Sequence, residues 1–340
     1  MKKILYSLIA MLAIVMSSGS NDDIELLHSV NIKVNPSKVI STFTYEENAG
    51  ELESFPDTLK LRTRLLAYDA KGVLKDSAVL YLTNYGSIAS YSLNLEEGDY
   101  TMVAITDVVK MKNNEVKLEY WHLKNRESLS ETKLSDAGMI GGTYKILGVA
   151  SKKFTVGKTG KECLLYPQAV GALCYVKFHN IHYNPEVKQY SLEMTKTSDF
   201  LQFSNSGEWE PSVQNNNGSF DWYLAYVTPE SYKASVENVY GYYFVLPMSN
   251  VKFKFTFIYS DGNTYDLAAS DEAISLEAGV EYGFEIEPII RNDGGIQVSY
   301  YLGWVLNGST KAHTTFSTLQ KKTAEKAYYV KDSINKNTKK

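Results

Sequence analysis

Cysteine is nearly absent: Cys163 and Cys174 are the only two thiols in 340 residues. That excludes a disulfide framework and leaves apolar packing to hold the fold. Spacing alone leaves open whether the two pair in an oxidising compartment or stay as buried thiols, as the alternation of Cys174 with Val176 and Phe178 would suit. Proline is also scarce, at 8 residues, and with 44% apolar residues this excludes a disordered, proline-rich chain. Neither sign of charge dominates. A net charge of -4 gives no general attraction to nucleic acid.

Catalytic signatures are missing too. No H-E-x-x-H, G-x-S-x-G, phosphate-binding loop or dinucleotide fingerprint occurs, and Gly141-Gly142 lacks the flanks that a phosphate loop needs. The histidines His28, His122, His179, His182 and His313 are scattered. Only His179 and His182 are close, and on a strand a separation of three sends their rings to opposite faces, which is poor geometry for one metal. The acidic pairs Glu46-Glu47, Glu96-Glu97 and Asp271-Glu272 are chain neighbours in turn-like stretches and cannot flank one glycosidic bond. The sequence therefore names no catalytic residue, no metal ligand set and no cofactor, and the expectation is a protein that is not an enzyme.

What is abundant favours strands. There are 26 Tyr and 13 Phe, residues that suit a pleated, half-buried surface. One pattern recurs: Leu95-Glu96-Glu97-Gly98-Asp99-Tyr100 leading into Thr101 to Ile105, and Leu276-Glu277-Ala278-Gly279-Val280-Glu281-Tyr282 leading into Gly283 to Ile286. Each copy reads as a strand ending in Leu, an acidic turn with Gly, and a new strand led by an aromatic, the sequence of a hairpin.

The chain opens with Lys2 and Lys3, an apolar run from Ile4 to Met16, and Ser17-Ser18-Gly19-Ser20. This reads as an export signal over residues 1–19, since the run is too short to span a bilayer as a helix. Mature residues are expected outside the cytoplasm, with cleavage near Ser17 to Ser20.

Short strands then follow one another. Val30, Ile32 and Val34 alternate with polar neighbours before Pro36; Leu59, Leu61, Thr63 and Leu65 alternate with Lys60, Arg62 and Arg64, whose basic side is expected to face water. Asp69 to Gly72 turns the chain back into Val73 to Leu82. A short helix is expected near Leu134 to Met139, and strands resume at Tyr144 to Leu147 and Lys152 to Val156. Val251, Phe253, Phe255 and Phe257 form the cleanest alternation. Turns between many short strands are the mark of an all-β, antiparallel sandwich class. The expected division is an N-terminal domain over 24–167, a C-terminal domain over 168–298 with the boundary near Pro167, and a basic extension over 299–340. The last forty residues hold eight Lys against one Glu and one Asp, with Phe316, Leu319, Ala327, Val330 and Ile334 as an imperfect helical stripe.

Candidate ligand aromatics are Trp209, Trp222 and Tyr242, with Trp121, Trp304 and the run Tyr240 to Phe244 beside them. Exposed aromatics stack on sugars or anchor interfaces, although burial in strands is the commoner fate.

The signal layout with Ser20 to Asp23, the Leu59 to Leu74 strand pair with Tyr68 to Gly72, the two Leu-turn-Tyr copies, the Tyr144 to Val156 region and the Ala169 to Phe178 strand together resemble the fimbrillin superfamily of Bacteroidetes. The resemblance spans most of residues 20–295. It implies two tandem transthyretin-like β-sandwich domains, a place at the cell surface or outer membrane in a fimbrium, and assembly with other fimbrial subunits by donor-strand exchange. It also implies a lipoprotein-like signal, but Gly19 stands where the lipidated Cys would be, so no thioether can form. Polymerising relatives are cut after a basic residue in the loop that follows the first strand. Residues 41–58 contain no Lys or Arg here, Lys38 being the nearest before them, which favours an uncut anchor or tip subunit. Val298 to Leu306 is the candidate donor segment, and a host or bacterial surface protein or glycan is a further expected partner. The alternative reading is a monomeric cell-surface glycan-binding protein.

Overall fold

The computed structural model describes residues 27–37, 39, 58–83, 87–138, 145–157, 162–178, 187–216, 221–225, 239–259, 264–269, 273–290, 295–306 and 322–329. Gly19, Ser20, Lys38, His179 and His182 lie outside them, as do Tyr144, Glu46-Glu47 and Asp271-Glu272.

The first half supplies β1 (His28–Val34), β2 (Leu59–Asp69), β3 (Leu74–Leu82), β4 (Ala89–Leu95), β5 (Gly98–Lys112), β6 (Glu115–Glu119), β7 (Trp121–Lys124), β8 (Lys133–Asp136), β9 (Leu147–Val156), β10 (Cys163–Leu165) and β11 (Gln168–Ala169). One layer has the order β11-β9-β5-β2-β3, with β6 paired to the end of β5. The other is the three-stranded sheet β10-β1-β4. Between them lies a core of Val30, Ile32 and Val34 from β1, Leu65 and Ala67 from β2, Leu93 from β4, and Met102 and Ala104 from β5. Each of the Val, Ile, Leu and Met side chains contributes about 1.5–3 kcal/mol by leaving water.

The second half supplies β12 (Ala172–Phe178), β13 (Val187–Met194), β14 (Lys196–Phe203), β15 (Trp209–Asn215), β16 (Asp221–Ala225), β17 (Val239–Val245), β18 (Met248–Val251), β19 (Phe253–Tyr259), β20 (Thr264–Ala269), β21 (Ile274–Leu276), β22 (Val280–Ile290), β23 (Gly295–Leu306) and β24 (Lys322–Tyr329). They form the sheets β17-β12-β22-β23-β24 and β16-β13-β19-β20, and the pair β18-β21. A further sheet, β15-β14-β8-β7, takes strands from both sides of Pro167. Its β14 pairs with β8 through Phe200 opposite Ser135, Leu201 opposite Leu134 and Gln202 opposite Lys133. Leu201, Phe203, Phe244 and Leu246 accordingly share a core cluster with Leu66, Val103 and Trp121. The rings of Trp121 and Phe244 meet edge to face, their centroids 6.1 Å apart.

The all-β class agrees with the sequence reading, while four local expectations are corrected. Residues Leu134 to Asp136 belong to strand β8, preceded by a 3₁₀ turn at Leu129–Glu131, and not to a helix. Pairing with β7 on one side and β14 on the other decides this, because a four-residue strand has no periodicity of its own to read. Lys322–Tyr329 is likewise a strand beside β23, where a helical stripe was expected. Arg62 and Arg64 are buried, because the face they occupy is covered by a second layer that alternation in β2 cannot announce. Finally, the two Leu-turn-Tyr copies are not hairpins. β4 pairs with β1 while β5 lies in the other sheet, and β21 pairs with β18 while β22 pairs with β12 and β23. Each copy is an arch that carries the chain between sheets.

Each arch is closed by a bond from its tyrosine to backbone before it. The Tyr100 hydroxyl donates to the Glu96 carbonyl at 3.2 Å, and the Tyr282 hydroxyl donates to the Ser275 carbonyl at 2.8 Å. Gly279 holds a positive φ of 75°, open to glycine at little cost.

Candidate functional site: a first strand seated between two others

Strand β1 is the middle strand of its sheet. On one side it runs antiparallel to β4, from His28 opposite Leu95 to Val34 opposite Ala89. On the other it runs parallel to β10, Ile32, Lys33 and Val34 facing Cys163, Leu164 and Leu165. The strand forms here because its period-two pattern puts Val30, Ile32 and Val34 inward, with Ile32 and Val34 both 0% exposed. Its outward residues are tied at the rim. Ser29 and Ser92 share a hydroxyl hydrogen bond of 2.9 Å, and Lys33 forms an ion pair with Glu162.

What bounds the seat is apolar. Without β1, β4 and β10 have no ladder between them, and Leu65, Leu93 and Met102 lose the side chains that cover them. Cys163 faces the same interior, fully buried, and burial pushes its thiol upward despite the opposing pull of Lys152. Both cysteines are free, which resolves the alternative left open by the sequence in favour of buried thiols.

The chain leaves β1 through a fixed turn. The Asn35 amide donates to the Leu165 carbonyl at 2.9 Å, the Ser37 amide to the Asn35 side chain at 3.1 Å, and the Val39 amide to the Pro36 carbonyl at 3.0 Å. Val39 is 0% exposed and belongs to the larger core cluster with Leu61, Val108 and Ile146.

On the far face of the six-strand layer sits a buried ionic cluster. Arg62 Nε and Nη2 donate to the two carboxylate oxygens of Asp107 at 2.9 and 2.6 Å, and Arg62 Nη1 reaches Glu119 at 2.6 Å. Burial pulls the Arg62 guanidinium down, but the bonds and charges of Asp107 and Glu119 outweigh it and raise the pKa above the ordinary value. Arg64 fares differently. Its contact with Asp107 is 3.3 Å, its Nε is buried without a partner, and burial lowers its pKa beyond what Asp107 restores. For Glu119, burial raises the pKa but Arg62 and His122 overcome it, so the group lies below its usual range. The cluster holds the β6–β7 corner on the sheet; Arg62 Nη2 also donates to the Trp121 carbonyl at 3.1 Å. Among the described residues, no group of three or more His, Cys, Asp or Glu is placed to hold a metal.

The candidate aromatics stand in three different sheets. Trp209 is on β15, half-buried against the larger core cluster. Trp222 is on β16, opposite Glu193 of β13, and Tyr242 is on β17, opposite Tyr175 of β12. Trp121 is buried, its indole N–H donating to the Lys145 carbonyl at 2.9 Å. Val298 to Leu306 lies within β23, paired with β22 from Val280 opposite Leu306 to Ile290 opposite Ile296. Sequence reading missed the ionic cluster, although Asp107 inside the apolar run Met102 to Val109 was a visible signal for it.

No known protein-family profile matches the chain, and no curated protein is similar to it in sequence. Solved structures are similar in fold. A Bacteroides ovatus protein described as a candidate adhesin shares 10% identity at a TM-score of 0.49, covering 84% of this chain and 96% of its own. The fimbrial anchor protein Mfa2 of Porphyromonas gingivalis shares 12% at 0.44, covering 83% and 100%. The tip fimbrial protein Mfa3 of the same organism shares 12% at 0.40, covering 81% and 99%. These proteins share little sequence with the chain, which by its own strands is all-β.

Proposed function

We propose that this chain is a non-enzymatic subunit of a bacterial surface fimbria, of the anchor or tip-adhesin kind, joined to its neighbours by exchange of β-strands. The observation that carries the reading is the position of β1, a strand near the N-terminus seated between β4 and β10 and contributing Val30, Ile32 and Val34 to the core. Any extended segment with the same alternation would satisfy the same apolar seat and the same backbone groups by β-augmentation. The N-terminal segment is read as an export signal with Gly19 and Ser20 at its processing site, and the place at the cell surface is what a role in a fimbria would entail. Lys38, directly before the buried Val39, is the basic residue nearest the loop where polymerising subunits are cut, and an anchor or tip subunit would leave it uncut.

The test is fractionation. Surface fibres sheared from expressing cells should contain this chain, and an I32D variant should be lost from them. Fibres free of the protein in both normal and fimbria-overproducing strains would sink the reading. Oligosaccharide binding by the purified monomer, abolished by Trp209→Ala, Trp222→Ala or Tyr242→Ala, would instead support a glycan-binding protein.

A further inference from the structure

We infer that Val39 is a latch for the first strand, seated in a socket that exists because residue 148 is glycine. Gly148 lies on β9, opposite Thr106 of β5 and Ala169 of β11. A Cβ built there would collide with Val39 Cγ2, approach Cγ1 to 2.9 Å and approach Cβ to 3.2 Å. Val39 therefore occupies the volume that any other residue at 148 would need for its own side chain. The valine is 0% exposed and sits five residues beyond Val34, the last inward residue of β1.

The arrangement ties two cores together through one short segment. Val30, Ile32 and Val34 belong to the core between the two layers, whereas Val39 belongs to the larger cluster that includes Leu61, Val108, Trp121 and Phe244. Between them Asn35 and Pro36 fix the path, through the Asn35 amide on Leu165 and the Val39 amide on Pro36. For β1 to leave its seat in an intact chain, this turn must move, and Val39 holds it from the other side. The latch deepens the strand-exchange reading by setting when the strand can leave, and it can fail without that reading failing.

Cys163 reports on it. The thiol is fully buried opposite Ile32, so a reagent reaches it when β1 and the edge strand β10 part, while Cys174 on β12, equally buried, reports opening elsewhere. The experiment is alkylation of the full-length chain with iodoacetamide, with each cysteine followed by peptide mass spectrometry. Val39→Ala is expected to speed labelling of Cys163 about tenfold while Cys174 changes by less than about twofold, as local opening predicts. Gly148→Ala, whose methyl evicts Val39, should give the same selective rise. A Gly148→Ala, Val39→Gly double variant should label no faster than Val39→Gly alone, because with the Cβ of residue 39 gone the added methyl enters vacated space. If Gly148→Ala does not fold, Val39→Ala and Val39→Gly carry the test alone. An equal rise at both cysteines, or no rise at Cys163, overturns the latch; the fibre reading is judged separately by shearing.

Discussion

The hydroxyl of Tyr282 sits between two backbone groups of the turn that precedes it, donating to the Ser275 carbonyl at 2.8 Å and accepting from the Glu277 amide at 2.9 Å. Burial pushes its pKa up to about 12, so the group stays protonated and able to donate through the neutral range. In the first arch the Tyr100 hydroxyl donates to the Glu96 carbonyl at 3.2 Å. Tyr282→Phe is expected to cost about 1–3 kcal/mol, because it leaves a backbone donor and acceptor without their partner. Urea midpoints of wild type and variant would decide.

The two buried arginines should respond in opposite ways. Asp107→Ala strands Arg62 and Arg64 and is expected to cost about 3–5 kcal/mol, as does removal of one partner from any buried pair. Arg64→Met is expected to be neutral or stabilising, since Arg64 makes one 3.3 Å contact and buries an unpaired Nε. Denaturant unfolding of both variants gives the comparison. A loss at Arg64→Met as large as that at Asp107→Ala would contradict the geometry.

Acid should weaken the β6–β7 corner through Glu119. Its folded pKa is depressed, with Arg62 and His122 overcoming the effect of burial. A depressed carboxylate contributes its stability in full above the unfolded value and loses it as pH falls through the folded one. The difference in thermal midpoint between wild type and Glu119→Gln should therefore be largest at neutral pH and shrink as the pH drops below about 4.5, the ordinary range for Glu. A difference that stays constant from pH 7 to pH 3 would count against the pairing.

The sheet drawn from both sides of Pro167 should make those parts of the chain unfold together. β14 is paired with β8, the Phe203 amide donates to the Thr132 carbonyl at 3.2 Å, and the Gln202 side chain reaches the Ser130 carbonyl at 2.8 Å. Gly207, in the β14–β15 turn, is in turn packed against Ser151 and Thr101 of the N-terminal layer, at a φ of 85°. Leu201→Ala, at 0% exposure, is expected to cost about 2–5 kcal/mol. It should shift a single urea transition seen alike by circular dichroism and by tryptophan fluorescence. Two separated transitions would show that the sheet does not couple them.

Sequence by itself determined the class. Alternating runs such as Val30-Ile32-Val34 and Leu59-Leu61-Thr63-Leu65, with turns between them and few cysteines, leave little but layered antiparallel strands held by apolar packing. It also located the two arches, since Leu, Gly and Tyr recur at nearly the same spacing. What it could not reach was partnership. Alternation says which side chains share a face but not what lies over that face, and so Arg62 and Arg64 read as solvated when Asp107 and Glu119 were waiting opposite them. A Leu-turn-Tyr stretch has the same local chemistry whether its strands pair with each other or with strands far along the chain, and so hairpins became arches. The short β8 became a strand because β7 and β14 lie on either side of it, and the proposed role of Val39 arises only because residue 148, more than a hundred positions away, carries no side chain. Short-range periodicity is written into the chain; the contacts that give β1 its seat are long-range, and tertiary packing alone decided them.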